Sequence, residues 1–147
     1  MKFLLDSMLG RLSKWLRIMG YDTHYQRSYK LYEIYELKEE RIFVSRNRRL
    51  VSSIGGIFIE NDRVEDQILE LKEKLKLRPD PKMWFTRCIL CNALLRKAEP
   101  EYAEQFVPEY VLIQNRDRIK FCPICNRFYW PGTHRDRMIK KLKELGF

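Results

Sequence analysis

The chain is 147 residues long, with 45% hydrophobic side chains and a formal charge of +9 from 29 basic and 20 acidic residues. That apolar share supports a real core and excludes a wholly disordered chain, and no apolar run reaches the roughly 18 to 20 residues that a bilayer span needs. The length admits one domain, or one small domain with a metal-stapled module. An acid at position 6 comes too early for a secretory signal, so a soluble, cytoplasmic protein with no membrane partner is expected. Basic residues outnumber acidic ones 18 to 13 before Cys88 and 11 to 7 from there on, so the body of the chain is basic, not a tail. Such a body suits a polyanionic partner; the alternatives are solubility charge and the ion-pair networks of a heat-adapted protein.

Residues 2–5 form a short apolar run ending at Asp6, which reads as a strand. From Met8 the period changes: Met8, Leu9, Leu12, Leu16 and Met19 fall on one helical face, and Gly20 follows as a stop. Residues 22–25 lean towards strand, and 31–40 towards a second helix with Leu31, Ile34, Tyr35 and Leu37 inward. Ile42, Phe43 and Val44 read as a buried strand, followed by the polar cluster Ser45-Arg46-Asn47-Arg48-Arg49. Gly55-Gly56 precedes a fourth strand at 57–59, and 64–77 is an amphipathic helix closed by Pro79 and Pro81.

Strands alternating with helices predict an α/β fold with a mostly parallel sheet flanked by helices, whose site lies beyond the carboxyl ends of the strands. Those ends carry Asp6, residues 45–49 and residues 60–62, so carboxylates and arginines should meet on one edge. Three segments follow from this pattern: residues 1–80 as the sheet domain, 81–132 as a cysteine module, and 133–147 as a basic amphipathic helix with Thr133 suited to its N-cap.

Cys88-Ile89-Leu90-Cys91 and Cys122-Pro123-Ile124-Cys125 are matching knuckles that use all four cysteines of the chain. Two residues between cysteines let both sulfurs face one ion, and two such turns complete a tetrahedron around structural Zn²⁺. With the metal bound, the working charge falls to about +7. Two disulfides are disfavoured for an intracellular chain, and an iron or redox dithiol site is the remaining competitor.

Residues 3–12, Trp15-Leu16-Arg17 and Gly20-Tyr21-Asp22-Thr23 resemble the opening of the Mut-seven C-terminal RNase domain family, PIN-like ribonuclease domains with an appended zinc ribbon. Residues 41–50, Asp66-Gln67, the two knuckles and Phe128-Tyr129-Trp130-Pro131-Gly132-Thr133-His134 carry the resemblance along nearly the whole chain. It implies RNA cleavage with Mg²⁺ or Mn²⁺ held by acids at strand ends. Transferred by position, Asp6 is the first acid, Glu33 falls near the acidic position of the second helix, and Asp62 is a later ligand. The family pattern Thr-Arg-Asp after the third strand reads Ser45-Arg46-Asn47 here, and Leu31 and Tyr32 stand near the acidic pair expected before the second helix. Asn47 offers a carbonyl oxygen but no charge, which weakens affinity for a hard cation.

Basic residues surround the expected edge: Arg11, Lys14 and Arg17 on the first helix, and Arg46, Arg48 and Arg49 after the third strand. Lys140 and Lys141, with their neighbours on the last helix, form a further cluster, and Trp15, Tyr129 and Trp130 are candidate stacking residues. Three readings follow: a metal-dependent ribonuclease, a non-catalytic RNA- or ribosome-binding protein, and a protein adaptor built on the ribbon.

Overall fold

The computed structural model describes residues 1–147. The chain divides into two compact units, residues 1–92 and 93–147, so the turn after the proline pair and the first cysteine knuckle belong with the sheet.

In the first unit, β1 (Lys2–Leu5) lies between β2 (Asp22–Tyr25) and β3 (Ile42–Ser45), and β4 (Ile57–Phe58) follows outside β3. All pairings are parallel, with Phe3 opposite both Thr23 and Ile42, and Val44 opposite Ile57. Phe3, Leu4 and Leu5 are fully buried. A strand apolar at every position, not every second one, must be covered on both faces, and helices do this. Leu4 and Phe43 form one cluster with Ile34 of α2 (Leu31–Leu37) and Ile54 of α3 (Arg48–Ile54). By the alternation of strand side chains, Phe3, Leu5 and Val44 face the other way. There α1 (Gly10–Ile18) and α4 (Val64–Leu75) pack on each other, as right-handed crossovers from this strand order require.

Local boundaries differ from the sequence expectation in three places. The polar cluster after β3 is the start of a helix, because Asn47 turns its side chain back onto the chain and caps α3. The second helix stops at Leu37, with a turn at residues 38–40. A turn of 3₁₀ helix, Ser7–Leu9, precedes α1 and is capped by Asp6.

In the second unit, β5 (Arg96–Lys97), β6 (Lys120–Phe121) and β7 (Phe128–Tyr129) make a small antiparallel sheet. Ala98, Ala103, Val107, Val111 and Ile119 form its core, with Tyr102, Phe121, Phe128 and Trp130 packed around them. Two short helices, α5 (Pro100–Ala103) and α6 (Glu109–Asn115), occupy the segment between the knuckles. The last helix, α7 (Thr133–Glu144), starts one residue earlier than a Thr133 cap would place it: Gly132 is the N-cap, and no side chain caps the end.

Gly20 ends α1 with φ +93°, and a Cβ there would stand 2.5 Å from the Met83 carbonyl oxygen. Both the left-handed backbone and the close approach of the 81–83 turn therefore demand glycine. Gly20→Ala should destabilise the protein by about 2 kcal/mol in urea denaturation, since strained backbone costs of order 1–3 kcal/mol.

Candidate metal centre and nucleic-acid edge

The two knuckles fold as near-copies of one another. Asn92 and Asn126, each directly after the second cysteine, take left-handed backbone with φ of 73° and 55°. Their N–H groups donate to the Cys88 and Cys122 carbonyl oxygens, both at 2.9 Å. The Cys125 N–H points at the Cys122 sulfur, 3.3 Å away. All four sulfurs lie within 4.8 Å of one another, and no disulfide joins them. Zn–S bonds of about 2.3 Å in a tetrahedron place sulfurs about 3.8 Å apart, so the donor set fits zinc. Cys88, Cys91, Cys122 and Cys125 would hold the ion in a closed shell, which leaves no position for water and makes the role structural.

Arg17, expected on an exposed phosphate-binding face, is only 5% exposed. Its Nε donates to the Thr23 carbonyl at 3.0 Å and its Nη1 to the Ile89 carbonyl inside the first knuckle at 2.9 Å. Burial lowers the guanidinium from its ordinary value, and the charges of Cys88 and Cys91 oppose that drop. The side chain is a tie within the fold and is not available to RNA phosphates.

At the carboxyl edge of the sheet, Asp6 Oδ1 accepts the Ser7 N–H at 2.7 Å and Oδ2 accepts the Ser45 hydroxyl at 2.5 Å. The Ser45 oxygen in turn accepts the Asn47 N–H at 2.9 Å. Asn47 Oδ1 accepts the Leu50 N–H at 3.1 Å, so this residue serves as a helix cap. The Tyr25 hydroxyl donates to the Ser7 carbonyl and the Tyr29 hydroxyl to the Leu5 carbonyl, at 2.7 and 2.8 Å. Burial, helped by the Asp6 charge, pushes the Tyr29 phenol up to about 12.

The other expected acids have contacts of their own. Glu33 accepts the Lys30 N–H at 3.1 Å and the Gln26 amide at 3.0 Å, closing the start of α2, and these bonds hold its carboxyl below the ordinary value. Asp62 is exposed and lines a cleft of about 560 Å³ with Met8, Gly10, Arg11, Glu65 and Gln67. The four cysteines are the only group of three or more Cys, His, Asp or Glu side chains close enough to share an ion. Asp6, Glu33 and Asp62 therefore do not form a three-carboxylate cluster around one ion.

The basic edge is better provided. Arg11, Lys14, Arg48 and Arg49 are exposed, with Arg48 lying over the Phe58 ring at 4.4 Å. Arg46 is half-buried, donating from Nη2 to the Glu60 carbonyl at 3.0 Å while its buried Nε has no hydrogen-bond partner. In the second unit Lys140 is exposed and Lys141 half-buried on α7.

Tyr25, Tyr29 and Glu70 also stand near this edge, though the sequence pattern does not single them out. The place of Tyr25 at the end of the second strand is the one signal for it. Glu70 accepts the N–H groups of Glu60 and Asn61 and the Asn61 amide, and pairs with Lys74 at 2.7 Å, so it fixes the loop that carries Asp62.

The architecture is thus that of a parallel α/β domain joined in sequence to a four-thiolate zinc-ribbon module. The profile of the Mut7-C RNAse domain family matches residues 1–142, and the chain belongs to that family. No curated protein and no solved structure shows a significant match to it. No helix is long and apolar enough to cross a membrane.

Two outcomes follow. Burial works against Glu70's charge, but the Lys74 bond and the Glu60 and Asn61 N–H groups outweigh it and hold the carboxyl at about 2, below its ordinary 4.5. Its contribution is then complete above pH 4.5 and is lost as the pH falls towards 2. Glu70→Gln should cost about 2 kcal/mol at pH 7 by urea denaturation, and the gap from wild type should close on acidification through that window. Elemental analysis of the purified protein should find about one zinc per chain, and chelation should remove the ordered signals of the 88–92 and 122–126 turns.

Proposed function

We propose that this chain binds RNA along the carboxyl edge of its parallel sheet and that metal-dependent cleavage at that edge is feeble or lost. The observation that carries the reading is the state of Asp6: both carboxylate oxygens are hydrogen-bonded, by Ser7 and Ser45, while Asn47 stands as a neutral helix cap where the family pattern has an acid. A hard divalent cation favours anionic oxygens, and Asn47 offers a neutral oxygen where the family pattern has a charged one. Family membership and the charge of +9 support RNA as the ligand.

Arg11 and Lys14 on α1 and Arg48 and Arg49 on α3 would contact phosphates, with Arg46 between the ends of β3 and β4. Within the second unit, Lys140 and Lys141 on α7 would supply phosphate contacts of their own. None of these residues reads base edges, so binding follows backbone charge and unpaired structure. Ribosomal RNA, the most abundant structured RNA in a cell, is the natural candidate partner. A cytoplasmic setting suits four cysteines that form no disulfide.

A second reading keeps the ribonuclease, and the observation in its favour is that Asp6 itself persists at the end of the central strand. One experiment separates the two. Single-stranded RNA of about 20 nucleotides is titrated at several salt concentrations, and its integrity with Mn²⁺ is followed on gels. The expected result is binding whose logarithm falls with log salt at a slope of about −3, as four phosphate contacts give, without cleavage. Charge reversal at Arg11, Lys14, Arg48 and Arg49 should abolish that slope. Asn47→Asp, which retains a capping oxygen, should produce cleavage that disappears when Asp6→Asn is added. Cleavage by wild type that vanishes in Asp6→Asn alone establishes the second reading and overturns the first.

A further inference from the structure

We propose that Arg17 and Asn92 are positioning residues that couple metal loading of the first cysteine knuckle to the order of β2, the outer strand of the parallel sheet, and through it to the Asp6 edge.

β2 is a weak strand by composition. Its four residues, Asp22-Thr23-His24-Tyr25, are polar or aromatic, and β1 is its only strand partner. An edge strand presents outward N–H and C=O groups that must find other partners. Thr23, fully buried, satisfies both through side chains. Its N–H donates to Asn92 Oδ1 at 2.9 Å, and its carbonyl accepts Arg17 Nε at 3.0 Å. The knuckle thereby stands where a fifth strand would.

Each of these two side chains is fixed by the knuckle in turn. Asn92 follows Cys91 directly, and its N–H closes the turn on the Cys88 carbonyl at 2.9 Å. Its Nδ2 donates at 2.7 Å to Asp22 Oδ1, which also receives Arg41 Nη1 at 2.8 Å. Arg41 Nη1 reaches on to the Phe3 carbonyl of β1 at 3.0 Å. Arg17 grips the Ile89 carbonyl between the two cysteines, and its charge acts on both Cys88 and Cys91. Zinc with four thiolates carries a net charge of −2, so a buried cation beside two of the sulfurs stabilises the loaded site.

The path continues to the functional edge. Two residues beyond Thr23, the Tyr25 hydroxyl donates to the Ser7 carbonyl at 2.7 Å, and the Ser7 N–H donates to Asp6 Oδ1 at 2.7 Å. Loss of the metal frees the Cys88–Asn92 turn, which removes the outer partners of Thr23 and loosens β2 from its outer side. Zinc in this chain thus sets the order of the sheet edge as well as that of the ribbon.

Amide hydrogen exchange on the full-length protein, with and without a strong chelator, tests this, with cobalt substitution reporting the thiolate site. Chelation should raise exchange in residues 20–26 by at least about 10-fold, comparable with the second-coordination-sphere effects known for metal sites. Asn92→Gly keeps a residue suited to the left-handed turn but removes the amide. It should bind cobalt with an unchanged thiolate spectrum, show raised exchange at 20–26 while metal-loaded, and respond little further to chelation. Arg17→Met should weaken zinc binding about 10-fold, and Arg17→Lys should recover part of that loss. Wild-type exchange at 20–26 that ignores chelation, or an Asn92→Gly protein whose β2 remains as protected as wild type, overturns the proposal. No RNA enters the experiment, so its outcome is separate from the RNA-binding reading.

Discussion

A strand with no polar face dictates the first unit. Because Phe3, Leu4 and Leu5 are all fully buried, β1 must lie inside a sheet covered on both sides. That requirement produces the parallel order β2-β1-β3-β4 and sends each connection over a face as a helix. Parallel strands share one carboxyl edge, so Asp6, Ser45 and the loop leading to Asp62 are delivered to the same rim without any residue there having to specify it. The rim is a consequence of the core.

The rim's chemistry then turns on how polar groups are satisfied. A carboxylate among developing phosphate charges needs a cation. Without one, it is stabilised by donors. Around Asp6, Ser45 and Ser7 supply short bonds, and the Asn47 N–H donates to the Ser45 oxygen while its side chain caps α3. An aspartate at position 47 would cap the helix equally well and add the missing charge, so the neutral residue is no demand of the fold. The fold tolerates the loss of the acid because the cap needs only an oxygen. The structural role at position 47 is thus separable from a chemical one.

What was legible in the chain tracks how local the determining interaction is. The buried strands, most of the stripe on α1 and the paired CxxC knuckles follow from period and spacing, whereas Met8, expected on that stripe, and Leu31 and Tyr35, expected inward on α2, are exposed. The helix α3 was hidden because Arg-Arg-Leu-Val-Ser-Ser-Ile is short and rich in residues with modest helix propensity, and its cap was read as a metal ligand. The segment between the knuckles is rich in aromatic and β-branched residues, yet it forms helices, started by Pro100 within α5 and Pro108 before α6. That Asp6, Glu33 and Asp62 do not close into one cluster depends on loop paths that no periodicity encodes.

Arg17 shows why a charge pattern alone misleads. Spaced three residues apart, Arg11, Lys14 and Arg17 look like one basic stripe, but each step of three falls about 60° short of a full helical turn. Two steps carry Arg17 about 120° round from Arg11, off the exposed face and onto the flank beside β2 and the first knuckle. Burying a guanidinium there is costly unless donors find acceptors and the charge finds a counter-charge. Two backbone carbonyls and two cysteine sulfurs provide both. A residue that adds one unit to the net positive charge thus offers a phosphate no direct contact; its donors are turned inward, to the Thr23 and Ile89 carbonyls.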